Sequence, residues 1–345
     1  MIGLALSGGG TKGSYHVGVY YALKKCHIKV DAIAGTSIGS FNGAMLCAHR
    51  EKELLNFWKQ NEIGKILGFD EKYIKKVNSK IIDKELFALS FENLIDIIEN
   101  KGIDTTGLKE VLERFDLEKY VRKSNIKFGL STFKVKGFEK KSLFIEDIPK
   151  NKLNDYILAS CYLPVFKQEK LDDDSYFIDG GIYNNCPYNM LLEKGCNKVY
   201  AVDLKAIGFN EKILDESKVV FITPSKDTGK ILDIDQEKIE SNIQMGYYDT
   251  LKILKNLDGE NYIFKKRSNF FYKRLIKKAS YQTIEILKVI LNENDPKKIV
   301  IKALENIMND NNETYFNIYD VKKLIKKYKG IADTGTIATF IKQIS

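Results

Sequence analysis

Apolar residues along this chain fall in short blocks, and the spacing inside the blocks alternates between unbroken runs and a three-to-four-residue period. Residues 3–7 form an unbroken apolar run and predict a buried strand. Residues 14–25 carry Val17, Tyr20, Tyr21 and Leu23 at helical spacing. The same succession repeats at once: the run 30–34 predicts a second strand, and the small-residue stretch 40–48 a second helix. Residues 50–122 are rich in Lys and Glu, with helical spacing over 52–65, 86–99 and 108–115. Strand-like runs resume at 126–133 and 142–145. A helix over 153–160 is stopped at Pro164. The stretches 176–178, 198–203 and 219–224 read as further strands, 190–195 as a short helix with a glycine stop, and 234–254 as a longer helix. Strands and helices alternating in this way predict an α/β protein with a mostly parallel sheet. The 50–122 insertion reads as an amphipathic helical layer over the sheet. A lid or membrane-facing rim is its alternative.

From Asn269 onward the spacing is helical throughout. Phe270, Phe271, Leu275 and Ile276 interleave with Lys273, Arg274, Lys277 and Lys278, and Val321, Leu324, Ile325 and Tyr328 with Lys322, Lys323, Lys326, Lys327 and Lys329. Charge sharpens this division. The net charge of +9 lies wholly in the tail: residues 265–345 hold 17 Lys and Arg against 8 Asp and Glu, and residues 1–264 hold 38 of each sign. A charge-balanced domain over 1–264 and a basic helical extension over 265–345 are therefore expected. The extension reads as a small packed helical subdomain whose lysines face out, and the same helices suit an anionic bilayer surface. No nucleic-acid motif accompanies the charge.

Composition bounds the rest. At 345 residues, 44% hydrophobic and 29% charged, the chain is that of a globular protein with a sizeable core. Its apolar runs fall well short of the ~18 residues needed to cross a bilayer. Residues 1–6 have neither a basic leader nor a long apolar stretch, and the five cysteines include no C-x-x-C pair. A cytoplasmic protein with reduced thiols is expected.

Three stretches carry candidate chemistry. Gly35-Thr36-Ser37-Ile38-Gly39 joins the second strand to the second helix. A serine on such a tight turn is held clear of the backbone beside free helix amides, as an acyl-transfer nucleophile requires. The flanking Gly35 and Gly39 leave room for the turn. Gly8-Gly9-Gly10-Thr11-Lys12-Gly13 follows the first strand and opens the first helix, an anion-binding arrangement. A Walker loop is ruled out by the order Lys12-Gly13-Ser14. Gly8, Gly10 and Gly13 also fit a dinucleotide fingerprint with Asp31 as ribose partner, although Asp31 stands where a strand begins. An oxyanion hole facing Ser37 is the other reading. Asp179-Gly180-Gly181 ends an apolar strand, where open-sheet enzymes keep catalytic groups, although Asp-Gly is also a common turn. The acidic run Asp172-Asp173-Asp174 reads as a solvated hairpin tip.

A Ser-His-Asp triad of the α/β-hydrolase order needs a histidine after the acid. The three histidines are His16, His27 and His49, so Asp179 has none after it. His16, beside the glycine loop, reads as a buried helix residue. The remaining base for Ser37 is a carboxylate. At its ordinary pKa of ~4 it is a weak base, and burial in an apolar pocket raises it into use. Asp179 is the best-placed candidate.

With these residues in view, the chain resembles the patatin-like phospholipases. Their glycine loop, nucleophile elbow and D-G-[GA] motif correspond, in order, to Gly8–Gly13, Gly35–Gly39 and Asp179–Gly181. Ala159-Ser160 with Pro164, Asn185 with Pro187, Ile222 with Pro224, and Gly246-Tyr247-Tyr248-Asp249 match smaller family features. The likeness extends over residues 1–258. Lys12 departs from the commoner arginine, keeping the charge and losing the planar fork. The resemblance implies a three-layer α/β/α fold, a catalytic domain over 1–264, a Ser37–Asp179 dyad, an oxyanion loop, no metal or organic cofactor, and a phospholipid or other acyl-lipid substrate. A non-enzymatic membrane-binding module with vestigial motifs is the competing class, and a nucleotide-dependent oxidoreductase a third.

Overall fold

The computed structural model describes residues 1–62, 105–162, 170–171, 175–330 and 335–345. It divides into two units, Met1–Asp249 and Thr250–Ser345. The division precedes the 264/265 boundary read from charge, because Ile263 and Phe264 pair within the second unit.

The first unit is built on strands β1 (Ile2–Leu6), β2 (Ala32–Thr36), β3 (Lys127–Lys134), β4 (Glu139–Phe144), β5 (Phe177–Asp179), β6 (Lys198–Val202) and β7 (Val219–Ile222). The sheet runs in the order β4-β3-β2-β1-β6-β7, with β5 paired to β3 off that path. Strands β1, β2, β3, β6 and β7 are parallel; β4 and β5 run antiparallel to β3. The unit's helices are α1 (Ser14–Lys25), α2 (Ile38–Cys47), α3 (Glu51–Lys59), α4 (Thr106–Phe115), α5 (Glu118–Lys123), α6 (Leu153–Cys161) and α7 (Tyr188–Glu193), with α8 (Gln236–Leu254) as far as Asp249. This is the α/β class with a mostly parallel sheet that the spacing predicts.

The alternation of side chains along a strand assigns the faces. Ala5, Ala32 and Ala34 share a core with Tyr188, Met190 and Leu191, so α7 lies on that face. On the other, Gly43 of α2 approaches Ile33, Phe128 and Leu6. Both faces of the central strands are covered, which is why they read as continuous apolar runs.

The described parts of the 50–122 insertion behave as a packed layer. Leu54, Phe57 and Trp58 of α3 and Val111, Leu112 and Phe115 of α4 are buried. Phe41 of α2 sits 5.1 Å from Phe57 and 6.0 Å from Phe115 between ring centroids. The helix expected over 52–65 appears as Glu51–Lys59. The helix over 86–99, the lid reading of the middle of the insertion, Pro164 and the acidic run at 172–174 lie outside the described residues.

The second unit pairs β8 (Ile263–Phe264) with β9 (Ile318–Tyr319) and carries α9 (Asn269–Ile276), α10 (Tyr281–Leu291), α11 (Pro296–Asp310), α12 (Val321–Tyr328) and α13 (Thr336–Ile344). Its core includes Leu304, Val321, Leu324, Ile325, Tyr328 and Phe340. The apolar stripe of α12 is thus buried in its own unit, and Lys322, Lys323, Lys326 and Lys327 remain exposed.

Candidate active site

The Ser37 backbone lies at φ 55 and ψ −131, a left-handed conformation that disfavours a side chain. Local packing holds it there. A Cβ on Gly35 would lie 2.2 Å from the Gly39 carbonyl oxygen, and one on Gly39 would lie 2.2 Å from that of Leu6. Only glycine fits at either place, so the strand must turn sharply into α2. The Ser37 N–H donates to Ser160 Oγ at 2.9 Å, and Ser160 passes a hydrogen bond on to the Ser131 carbonyl at 2.7 Å. On the other side the Ser37 carbonyl accepts from the Ser40 N–H at 2.8 Å and the Ser40 hydroxyl at 2.6 Å. The elbow is pinned through its backbone, and its hydroxyl is left to the pocket.

Sheet register brings Asp179 to it. One edge of β3 pairs with β2 up to Thr36 opposite Ser131, and the next residue, Thr132, pairs with Asp179 at the end of β5. The other edge of β3 is occupied by β4 over the same residues. Strands β2 and β5 therefore meet end to end along one edge of β3, with their carboxyl ends together. Ser37 follows one end and Asp179 is the other. Asp179 Oδ1 accepts from the Gly181 N–H at 2.8 Å, and Asp179 lines the same pocket as Ser37. Burial pushes its pKa up to about 6, against the lowering effect of the nearby Ser37 hydroxyl and the Gly181 N–H. A carboxylate tuned in this way is ionised at neutral pH and a better proton acceptor than an exposed one.

The glycine loop divides its amides. The Gly8 N–H donates to the Asn185 carbonyl at 3.0 Å, the Thr11 N–H to the Ile231 carbonyl at 2.8 Å, and the Lys12 N–H to the Gly9 carbonyl at 3.2 Å. That leaves the N–H groups of Gly9 and Gly10 without a partner among the described residues. Gly10 sits at φ 56, where an added Cβ would lie 2.1 Å from the Ile231 carbonyl oxygen. The Thr11 hydroxyl also donates to that carbonyl, at 3.0 Å. The 230–231 backbone thus holds the loop from outside. Gly13 packs against Ile38, and its carbonyl accepts from the Asn42 side chain at 2.9 Å. Lys12 is half-buried; burial lowers its pKa, with the Asp227 charge acting against that.

A pocket gathers Gly8, Gly9, Gly10, Ser37, Asp179 and Gly181 on its walls, closed by Ile182, Ile207 and Ile231. Thr11, Lys12, Gly13, Gly35, Gly39 and Gly180 are not in its lining; Gly180 supports it, since a Cβ there would lie 2.5 Å from the Ser131 carbonyl oxygen. His16 is fully buried, its Nδ1 3.2 Å from the Asn42 side-chain amide, and burial lowers its pKa to about 3. It is neutral and away from the pocket. Asp31 accepts from the Ile2 N–H at 2.8 Å, at the start of the sheet and opposite the glycine loop, so it is no ribose partner for that loop. Among the described residues no three His, Cys, Asp or Glu converge as a metal site. Asn185, Ile207 and Ile231 had no assigned place in the pocket from the spacing alone, and Ser160 was no more than part of a motif. Ile207 and Ile231 lie in loops whose approach no local pattern announces.

Residues 4–192 match the family model of the patatin-like phospholipases. Lysophospholipase nte1 of Neurospora crassa is 27% identical over 212 residues, 61% of this chain and 12% of that protein. Lysophospholipase NTE1 of Saccharomyces cerevisiae is 28% identical over 206 residues, 59% of this chain and 11% of that protein. The match therefore spans about an eighth of these relatives. Among solved structures, VipD from Legionella pneumophila aligns with 99% of this chain and 83% of its own at 15% identity and a TM-score of 0.45.

Proposed function

The chain belongs to the patatin-like phospholipase family, and we propose that it is a serine acyl hydrolase of membrane glycerolipid esters. In this reading Asp179 takes the proton from the Ser37 hydroxyl as Oγ attacks the ester carbonyl. The oxygen that becomes negative is received by the Gly9 and Gly10 amides. The tetrahedral intermediate collapses, Asp179 returns the proton to the departing alcohol, and an acyl group remains on Ser37. Water, deprotonated by the same carboxylate, then releases the fatty acid and restores the serine. Gly8 and Gly13 shape the loop, Thr11 fastens it, and Lys12 places a positive charge beside it. Phospholipids and lysophospholipids are the proposed substrates, since the relatives are named lysophospholipases.

The observation that carries the reading is the convergence of Ser37 and Asp179 on one pocket at the junction of β2 and β5, with Gly9 and Gly10 in the same lining. The second unit adds a membrane component to the proposal. Phe270, Tyr281 and Val289 are 75–82% exposed there, in a stretch that also holds Lys273, Arg274, Lys277 and Lys278. Sedimentation with phosphatidylserine vesicles, lost on replacing those four basic residues with Gln, tests it.

The dyad is tested by turnover of a lysophospholipid and by labelling with a fluorophosphonate. Wild type is expected to do both, and Ser37→Ala neither. Wild type that binds lipid vesicles but is never labelled and releases no fatty acid would instead make the chain a non-enzymatic lipid-binding module.

A further inference from the structure

Beside the dyad lies a second pocket, one without polar lining. Among the described residues its lining is wholly apolar apart from one thiol, and Ile38, Phe57, Val111, Leu112, Ile157 and Cys161 set its shape. These come from four helices, α2, α3, α4 and α6. Two of them tie the pocket to the reacting serine. Ile38 is the residue after Ser37, so consecutive positions of the elbow line the two pockets. Cys161 Sγ lies 4.0 Å from the Ser40 hydroxyl, which itself holds the Ser37 carbonyl. Burial and then the nearby Asp179 charge raise the Cys161 thiol, a sign that the two are neighbours.

An ester carbon attacked by Ser37 has its oxygen directed at the Gly9 and Gly10 amides, and its two remaining substituents must diverge. The pocket around the dyad holds the polar groups that suit the ester, Asp179 and Asn185 with the glycine loop, beside Ile182, Ile207 and Ile231, and leaves room for the alcohol. A wholly apolar recess one residue along the elbow suits an alkyl chain, which gains roughly fourfold in binding for each methylene withdrawn from water. We propose that this recess holds the acyl chain of the scissile ester and that the side chains of α3, α4 and α6 set its preferred length. The assignment rests on the dyad reading above.

The test uses the full chain and p-nitrophenyl esters from butanoate to hexadecanoate, which carry no other chain. The quantity read is the ratio of kcat/KM for hexadecanoate over butanoate. Val111→Trp, which fills the recess, is expected to lower that ratio at least tenfold. Leu112→Ala, which enlarges it, is expected to move the optimum to a longer chain. The opposed directions keep the test decisive if the bulky variant does not fold. Ratios within twofold of wild type in active protein overturn the assignment and leave the dyad standing. Turnover of either ester by Ser37→Ala overturns the dyad, and the recess assignment with it.

Discussion

In the second unit the Asp258 carboxylate is buried among the Lys297 ammonium, the Tyr272 hydroxyl at 3.0 Å and the Arg267 N–H at 3.1 Å. Glu305, equally buried, accepts from the N–H groups of Glu260, Asn261 and Tyr262 at 2.8–3.1 Å. In the first unit Asp179 is as deeply buried, yet no cation pairs with it among the described residues. Helix ends differ in the same sense. Ser268, Ser280, Asp295 and Asp320 cap α9, α10, α11 and α12 through their side chains. In the first unit α1 and α2, which flank the pocket, start at Gly13 and Ser37 with no side-chain cap. These carboxylates and helix ends of the second unit are satisfied internally, which serves stability. The first unit holds, among the described residues, a carboxylate without a cation, two amides without a partner and a serine in a strained backbone conformation, at a cost in stability.

The largest expected effect is on the unsatisfied side. Ser37→Ala and Asp179→Asn should each lower kcat/KM by about 10³-fold or more, roughly 4 kcal/mol, without loss of the folded state by circular dichroism. Equal activity in either variant would remove the functional half of the contrast. On the satisfied side, Asp258→Ala leaves Lys297, Tyr272 and the Arg267 amide without their shared acceptor. It should destabilise the fold by about 3 kcal/mol, measured by denaturant unfolding, while the protein that remains folded still takes up fluorophosphonate.

Asp179 also makes the contrast visible in pH. Its folded pKa of about 6 stands above the ordinary 3.8, so the folded state holds that proton more tightly than the unfolded chain. The ionised carboxylate therefore costs stability as pH rises from about 4 through 6, approaching about 3 kcal/mol at neutral pH. Asp179→Asn should raise Tm at pH 7.5 and lose that advantage at pH 4. In wild type kcat/KM should rise with pH and level off above about 6; a profile flat from pH 4 to 8 would count against Asp179 as the base. The smallest effect belongs to the caps. Ser268→Ala and Ser280→Ala should each cost about 1 kcal/mol of stability, with kcat/KM unchanged within twofold.

Much of this contrast was legible along the chain. The span 14–25 emerges as α1 (Ser14–Lys25), and of the tail's apolar stripes Leu275, Val321, Leu324, Ile325 and Tyr328 are buried while Phe270 is exposed. The elbow was legible because its requirement is local: Gly35 and Gly39 touch backbone within a few residues or on the adjacent strand. The glycine loop was legible only as a whole. Six residues were candidates for an oxyanion hole, and which amides remain free depends on Asn185 and Ile231, which arrive from distant segments. Ser160 illustrates the same limit, since its task is to accept from one strand's end and donate to another.

The sequence by itself determined the alternation of strands and helices, the steric need for glycine around Ser37, and the lack of any histidine after Asp179. Those follow from local spacing, from the absence of a Cβ, and from residue identity. Tertiary structure alone decided that positions 37 and 179 meet, because β5 takes up the edge of β3 where β2 stops. It also decided the depth of burial that lifts Asp179 toward neutral pH, because desolvation belongs to the packed surroundings of a carboxylate and not to its neighbours in the chain.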